Sequence, residues 1–148
     1  MTQSTPTNVS MAPDGAALVR SGPVFAALTG LTSLAILLQA VFAGEFIDPT
    51  SHGGWLSAHD VNADVVIGLA VVTALYAVVA LRTAARPLVI ASVVLALAVA
   101  AQTAIGHAIS DSNDKGLLVI HLPLALLVFG LTIWLSVSAR RMRKAASG

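Results

Sequence analysis

Long apolar stretches alternate with short polar breaks along this chain. Four stretches carry almost no charge, at positions 24–44, 59–81, 87–109 and 116–138. Each exceeds the roughly 20 residues that a helix needs to span about 30 Å of hydrocarbon. Helices are expected because a backbone in lipid must satisfy its own hydrogen bonds, and these stretches lack the alternation of barrel strands. The pattern predicts an all-α integral membrane four-helix bundle made of two tandem helical hairpins.

The composition agrees with this prediction and defines two tails. The chain has 148 residues, of which 57% are hydrophobic and 10% charged, which is more apolar surface than a soluble domain can cover. We expect a disordered polar tail at 1–22, the transmembrane domain at 23–139 and a basic tail at 140–148. Since the chain contains no cysteine, disulfides, iron–sulfur clusters and covalent haem attachment are excluded.

The distribution of arginine and lysine predicts the orientation. Only Lys115 lies on the side of the bundle opposite the termini. Seven basic residues flank the spans on the side of the termini: Arg20, Arg82, Arg86, Arg140, Arg141, Arg143 and Lys144. Because cytoplasmic loops are enriched in these residues, both termini are expected in the cytoplasm of a multi-pass cell-membrane protein. The bilayer is the expected partner, the basic tail can attract anionic lipid, and no nucleic-acid partner is expected.

The two hairpins repeat each other. Gln39 precedes His59 by 20 residues in the first hairpin, and Gln102 precedes His121 by 19 in the second. Polar residues are rare in membrane spans, so these matched pairs indicate an internal repeat. Both hairpins begin on the same side of the membrane, which makes the repeat parallel, with its pseudo-twofold axis along the membrane normal.

Two glycines extend the repeat, since Gly68 and Gly130 each follow the matched histidine by nine residues. At about 100° per residue they lie opposite the histidine face, where we expect them to allow close packing between helices. Gln39 and Gln102 are expected to hydrogen-bond between helices, with direct contact to a cofactor as the alternative.

All four histidines belong to the side opposite the termini, and two of them are singled out by the repeat. His59 and His121 lie at equal depth, and an alanine follows each by four residues. Imidazoles from separate helices can approach one axis from opposite sides, as a six-coordinate haem iron requires, and helix bundles build cofactor sites from such facing side chains. We therefore predict that His59 and His121 are metal ligands.

Other interpretations of the histidines stay open. Each can be an ordinary interfacial polar residue. His107, at the end of the third span, is a candidate donor to a haem propionate or an alternative ligand. His52 lies in a glycine-rich loop that can remain solvated or cover the site. A zinc site fits less well, because zinc prefers three or four compact ligands.

The segments QTAIGHAI and VIHLPLALLVFGLTIW share a glutamine, a glycine and a His-Leu-x-Leu-Ala pattern with one half of a haem A synthase, which they resemble. Those proteins are two fused four-helix bundles, each with a histidine near the outer end of its second and fourth helices. The resemblance covers about residues 24–138 and extends to small four-helix actinobacterial membrane proteins. It implies that His59 and His121 are axial ligands of haem b.

The chain also differs from that family. Leu56 stands where the catalytic half has a glutamate, three residues before the second-helix histidine, and the cysteine pair of many members is absent. The resemblance therefore implies the cofactor-binding frame rather than the oxidative chemistry of haem A synthesis.

Together these patterns predict a b-type haem protein with bis-histidine ligation near the outer face. Closed axial positions favour electron transfer, or support of a respiratory complex, over catalysis. One alternative is a cofactor-free accessory or scaffold subunit of a larger membrane complex. Another is a transporter assembled as a homo-oligomer, which requires a polar midplane cavity. The polar residues at that depth are Gln39, Gln102, Thr73 and Ser92.

Overall fold

The chain forms a bundle of four long helices in the computed structural model, which describes residues 13–47, 54–112 and 115–147. The helices are α1 (Pro13–Ile47), α2 (Trp55–Ala80), α3 (Arg86–Ser112) and α4 (Leu118–Ser147), and a 3-10 turn at Lys115–Leu117 leads into α4. Each helix contains a stretch long and apolar enough to cross a membrane: Leu18–Glu45, Trp55–Ala80, Arg86–Ser112 and Lys115–Met142. The predicted all-α four-helix bundle is confirmed.

The predicted disorder of the first tail is corrected from Pro13 onward, and the predicted basic tail is helical where the structure describes it. Helix α1 begins at Pro13, inside the segment 1–22 that was predicted to be disordered. Proline suits the first helical position, since its missing N–H would be unpaired there anyway, and the alanines and leucine that follow are strong helix formers. Helix α4 continues to Ser147, so the basic segment 140–147 extends the fourth helix. Residues 1–12 lie outside the described residues.

The four helices form a closed ring. Helix α1 packs against α2 and α4, and α3 packs against the same two, whereas α1 and α3, like α2 and α4, lie on diagonals without close backbone contact among the described residues. We call the end of the bundle that carries His59 and His121 the histidine end. The opposite end, with Arg20, Arg82 and Arg140, is the arginine end.

The internal repeat is visible in the buried positions. Gln39 and Gln102 lie 63 residues apart, and His59 and His121 lie 62 apart. The offset of 63 residues relates buried residues of α1 to those of α3, and the offset of 62 relates those of α2 to those of α4. The matched buried pairs are Gly22 with Ala85, Phe25 with Leu88, Thr29 with Ser92, Thr32 with Leu95, Ile36 with Val99, Val66 with Val128, Ala70 with Thr132, Thr73 with Leu135 and Ala77 with Ala139. The two hairpins therefore present equivalent faces to the core.

Hydroxyl side chains pack in this core without unpaired groups. Among the described residues, five fully buried hydroxyls each donate a hydrogen bond of 2.7–3.0 Å to the carbonyl four residues earlier in their own helix: Thr29, Thr32, Thr73, Ser92 and Thr132. The Oγ1 atoms of Thr32 and Thr73 also lie 3.3 Å apart, which links α1 to α2. Because Thr73 and Ser92 are buried and paired, they do not line the polar cavity that a transporter would need.

The prediction that Gly68 and Gly130 allow close packing between helices is wrong. A Cβ atom built on Gly68 or Gly130 would meet nothing within 4 Å, so neither glycine allows a close approach between helices. Both lie on exposed faces. The close approach that small residues allow is made in the core, where buried alanine, serine and threonine occupy matched positions.

One pair of leucines tests where the core lies. Leu95 of α3 is fully buried, whereas Leu97, two residues on, is 66% exposed. We expect Leu95→Ala to lower the free energy of unfolding by about 2 kcal/mol, since it leaves a cavity in the bundle. The control Leu97→Ala should change it by no more than about 0.5 kcal/mol. Denaturant unfolding in detergent micelles, followed by circular dichroism, measures both. Equal losses would contradict the packing.

Candidate functional site

The core opens towards the histidine end. Across positions 37–45, 54–65, 100–112 and 115–127, Asn62 is the only buried side chain among the described residues. The helix faces that are buried at the arginine end continue here, but their residues are only half-buried. The half-buried residues include Gln39, Ala43, His59, Ala63, Gln102, Gly106, His121, Leu124 and Ala125.

An apolar layer separates these half-buried residues from the core at the arginine end. Each helix contributes one buried residue: Ile36, Val66, Val99 and Val128. The two glutamines lie about one helical turn from this layer, and the two histidines about two turns from it. We call the region bounded by Gln39, His59, Gln102 and His121, above the apolar layer, the histidine chamber.

A hydrogen-bonded network holds His59 in place. Its Nδ1 lies 3.2 Å from the backbone oxygen of Gln39 in α1. Since a carbonyl only accepts, Nδ1 carries the proton, and Nε2 is the nitrogen with the lone pair that can bind a metal. Nδ2 of Asn62 donates to the oxygen of Ala35 at 2.9 Å and to Oε1 of Gln39 at 2.6 Å. These bonds join α1 to α2 beside the imidazole.

The matching network around His121 is incomplete. Nε2 of Gln102 donates to the backbone oxygen of His121 at 3.0 Å and so joins α3 to α4. Oε1 of Gln102 and Nδ1 of His121 are buried and have no hydrogen-bond partner. By the repeat, Leu124 stands where the first hairpin has Asn62. Because leucine has no donor, the side-chain oxygen of Gln102 lacks the bond that the equivalent oxygen of Gln39 receives.

A steric contact positions His121. A Cβ atom built on Gly106 of α3 would lie 3.3 Å from Cε1 of His121, so the imidazole packs against the glycine backbone. By the 63-residue offset, Ala43 stands in the first hairpin where Gly106 stands in the second, and its neighbour Gly44 has nothing within 4 Å of its Cβ position. One histidine is thus held by a hydrogen bond and the other by packing.

The two imidazoles lie at the same end of the bundle, on helices without close backbone contact. His59 belongs to α2 and His121 to α4, which are diagonal in the ring. Two imidazole nitrogens from diagonal helices, above an apolar layer, are the kind of donor that a six-coordinate haem b requires. His59 and His121 would hold the haem by Nε2.

The other candidates lie apart from the pair. His107 is exposed on α3, and His52 lies outside the described residues. Trp55 begins α2 and lies against Phe42 of α1, with ring centroids 5.9 Å apart, so it belongs to the helical frame rather than to a loop. Within residues 13–47, 54–112 and 115–147, no three His, Cys, Asp or Glu side chains converge as a compact metal site would need.

The predicted hydrogen bonds of the two glutamines between helices are confirmed. Their direct contact with a cofactor stays a prediction. Asn62 was not predicted as part of the site, although its position three residues after His59 places both side chains on one helix face. That spacing, with a polar residue inside an apolar span, is the signal that could have identified it.

The asymmetry between the two networks can be tested by stability measurements. Asn62→Leu removes two donated bonds and leaves Oε1 of Gln39 unpaired, so we expect a loss of about 1 kcal/mol in the free energy of unfolding. Gln102→Leu removes one hydrogen bond together with one unpartnered oxygen, so its free energy of unfolding should be close to that of the wild type. Leu124→Asn supplies the missing donor and should be at least as stable as the wild type.

Chemical unfolding of the three variants in one detergent gives the comparison. A loss in Gln102→Leu as large as that in Asn62→Leu would contradict the assigned networks.

Compared with known proteins, the chain matches no family model, no curated protein sequence and no solved structure. The resemblance to haem A synthases therefore rests on the sequence segments alone.

Proposed function

We propose that this chain is a membrane b-type haem protein in which His59 and His121 are the axial ligands. The observation that carries the proposal is the pair of repeat-related, half-buried imidazoles that two diagonal helices bring to the same end of the bundle. A haem held by two imidazoles supplies one-electron oxidation and reduction, because both axial positions are closed to substrate.

The residues of the chamber have distinct roles in this proposal. The backbone oxygen of Gln39 fixes the Nδ1–H tautomer of His59 and raises the basicity of Nε2. Asn62 holds Gln39, so it is a positioning residue for His59. The valines of the apolar layer keep water from reaching the core from the chamber. His121 provides the opposite donor and relies on Gly106 for the space that its ring occupies.

The distribution of basic residues supports an orientation with both termini in the cytoplasm and the histidine chamber near the outer face. The arginine-end half of the bundle is filled by apolar and self-bonded hydroxyl side chains. Since the matched histidine pair occurs only at the histidine end, electrons would be exchanged on the outer side. A redox partner there, such as a respiratory complex, follows from this placement.

The two histidines should differ when each is removed. We expect His121→Ala to retain haem through His59, with a high-spin spectrum and carbon monoxide binding to the reduced form. His59→Ala should lose haem about 10-fold to 100-fold more readily, since His121 has no partner on Nδ1. Absorption spectra and haem-to-protein ratios of variants purified from haem-replete cells measure this difference.

His107→Ala is the matched control, because His107 is exposed at the same end of the bundle. Its spectrum should equal that of the wild type. The proposal would be overturned if neither His59→Ala nor His121→Ala changed the Soret band. A wild-type protein without haem that co-purifies with one membrane complex would instead favour the scaffold alternative.

A further inference from the structure

One acidic side chain lies within an apolar span, on the outer surface of the bundle. Asp64 belongs to the candidate span Trp55–Ala80 and is exposed. Asn62 and Val66, two residues away on either side, are both buried. Because two residues turn a helix by about 200°, the carboxyl group of Asp64 points away from the core. Residues 13–47, 54–112 and 115–147 provide it with no hydrogen bond or ion pair, so the described bundle leaves this charge uncompensated.

Depth sets Asp64 apart from the acids near the helix ends. A helix of 26 residues is about 39 Å long, about 9 Å longer than roughly 30 Å of hydrocarbon. If both ends extend equally, Asp64 lies about 9 Å inside the boundary at the histidine end, and Asp60, one turn earlier, about 3 Å inside it. Lysine and arginine reach interfacial water from such depths through their long stems, but aspartate does not. Since a charge in hydrocarbon is costly, Asp64 requires a partner there.

The second hairpin shows an ordinary apolar surface at the same place. By the 62-residue offset, Leu122 and Leu126 stand where the first hairpin has Asp60 and Asp64. Both leucines are exposed, by 59% and 73% of their surface. Asp64 is therefore a departure from the repeat at a position where an apolar side chain suffices, which indicates a contact that is specific to α2.

A glycine lies one turn deeper on the same face of α2. Gly68 follows Asp64 by four residues and is also exposed. A Cβ atom built on it would meet nothing within 4 Å, so the space beside it is open from outside the bundle. Glycine in a membrane helix lets a second backbone approach closely. We call this surface the Asp64 face. It consists of Asp64, Gly68 and the exposed apolar residues around them, Val61, Val65, Val71, Val72 and Leu75.

We propose that the Asp64 face docks a transmembrane helix of another protein, one that carries an arginine or a lysine at the depth of Asp64. The charge decides the chemistry of the partner, since a guanidinium or ammonium group neutralises the carboxylate and donates hydrogen bonds to it. Gly68 would let the two backbones come close one turn deeper. The docking does not depend on haem, so a failure of haem binding would leave it unchanged.

A second copy of this chain fits the Asp64 face less well. In a parallel copy, Arg82 lies 18 residues from the level of Asp64, which is about 27 Å along the helix. Lys115 precedes His121 by six residues, whereas Asp64 follows His59 by five, so Lys115 and Asp64 differ in depth by about 16 Å. An antiparallel copy would oppose the distribution of basic residues, which favours one orientation. The cation is therefore expected from a different protein.

The test uses the full chain, labelled with a donor fluorophore at its N-terminus, in phosphatidylcholine vesicles. The probes are two acceptor-labelled helices of about 23 leucine and alanine residues. One has a single arginine about 9 Å from an end of its apolar stretch, and the other has leucine there. Energy transfer measures association. We expect the arginine helix to bind at least about tenfold more tightly than the leucine helix, and equal binding would overturn the proposal.

Two variants with the same change in charge locate the contact. Asp64→Asn should weaken binding of the arginine helix about tenfold, to the level of the leucine helix. Asp111→Asn removes an exposed acid at the end of α3 and should leave the affinity within about twofold, since distant exposed charges are screened. If both variants lose binding to the same extent, the attraction is unspecific and the site is overturned.

A matched pair of glycines tests the close approach. Gly68→Leu fills the space beside Asp64 and should weaken binding of the arginine helix several-fold, whereas Gly130→Leu, the equivalent change in α4, should not. Wild-type affinity in Gly68→Leu would overturn the assigned face. Self-association of the wild-type chain that Asp64→Asn abolishes would assign the face to a second copy and overturn the proposal. Circular dichroism and the unfolding temperature verify that each variant keeps the fold.

Discussion

The packing of four matched helix faces at the arginine end is the constraint on which the rest of the bundle depends. Helices that span a bilayer associate through close contact between small side chains and through satisfied polar groups, and the four candidate spans meet both conditions. Buried alanines and threonines supply both, because each buried hydroxyl is paired within its own helix. Once these faces are fixed, the same faces continue towards the histidine end. The orientation of these helix faces places His59 and His121 on two diagonal helices that border the histidine chamber.

The repeat explains the symmetry of the bundle, and its departures point to function. Two departures have a defined physical consequence. Replacement of Asn62 by Leu124 leaves Gln102 Oε1 without a donor, so one half of the chamber is more firmly hydrogen-bonded than the other. Asp64 in place of Leu126 puts a carboxyl group on an exposed helix face that is apolar in the second hairpin. A chain of two identical hairpins would have neither feature.

The sequence predicted the features that depend on local pattern. Span lengths, helix count and the Gln39–His59 and Gln102–His121 pairs follow from hydropathy and spacing. Features that depend on how helices rotate against one another were not predictable: the bond from Asn62 to Gln39, the contact of His121 with Gly106, and the exposed position of Asp64. The prediction for Gly68 failed for the same reason, since its face points away from every neighbouring helix.

Haem ligation by two imidazoles is the central claim, and low-temperature electron paramagnetic resonance of the oxidised full-length protein tests it most directly. Two axial histidines give a low-spin ferric signal, because two strong nitrogen donors complete the coordination of the iron. We expect that signal in wild-type protein purified from haem-replete cells, at one haem per chain. A high-spin signal alone, or protein without any haem signal, would contradict ligation by His59 and His121.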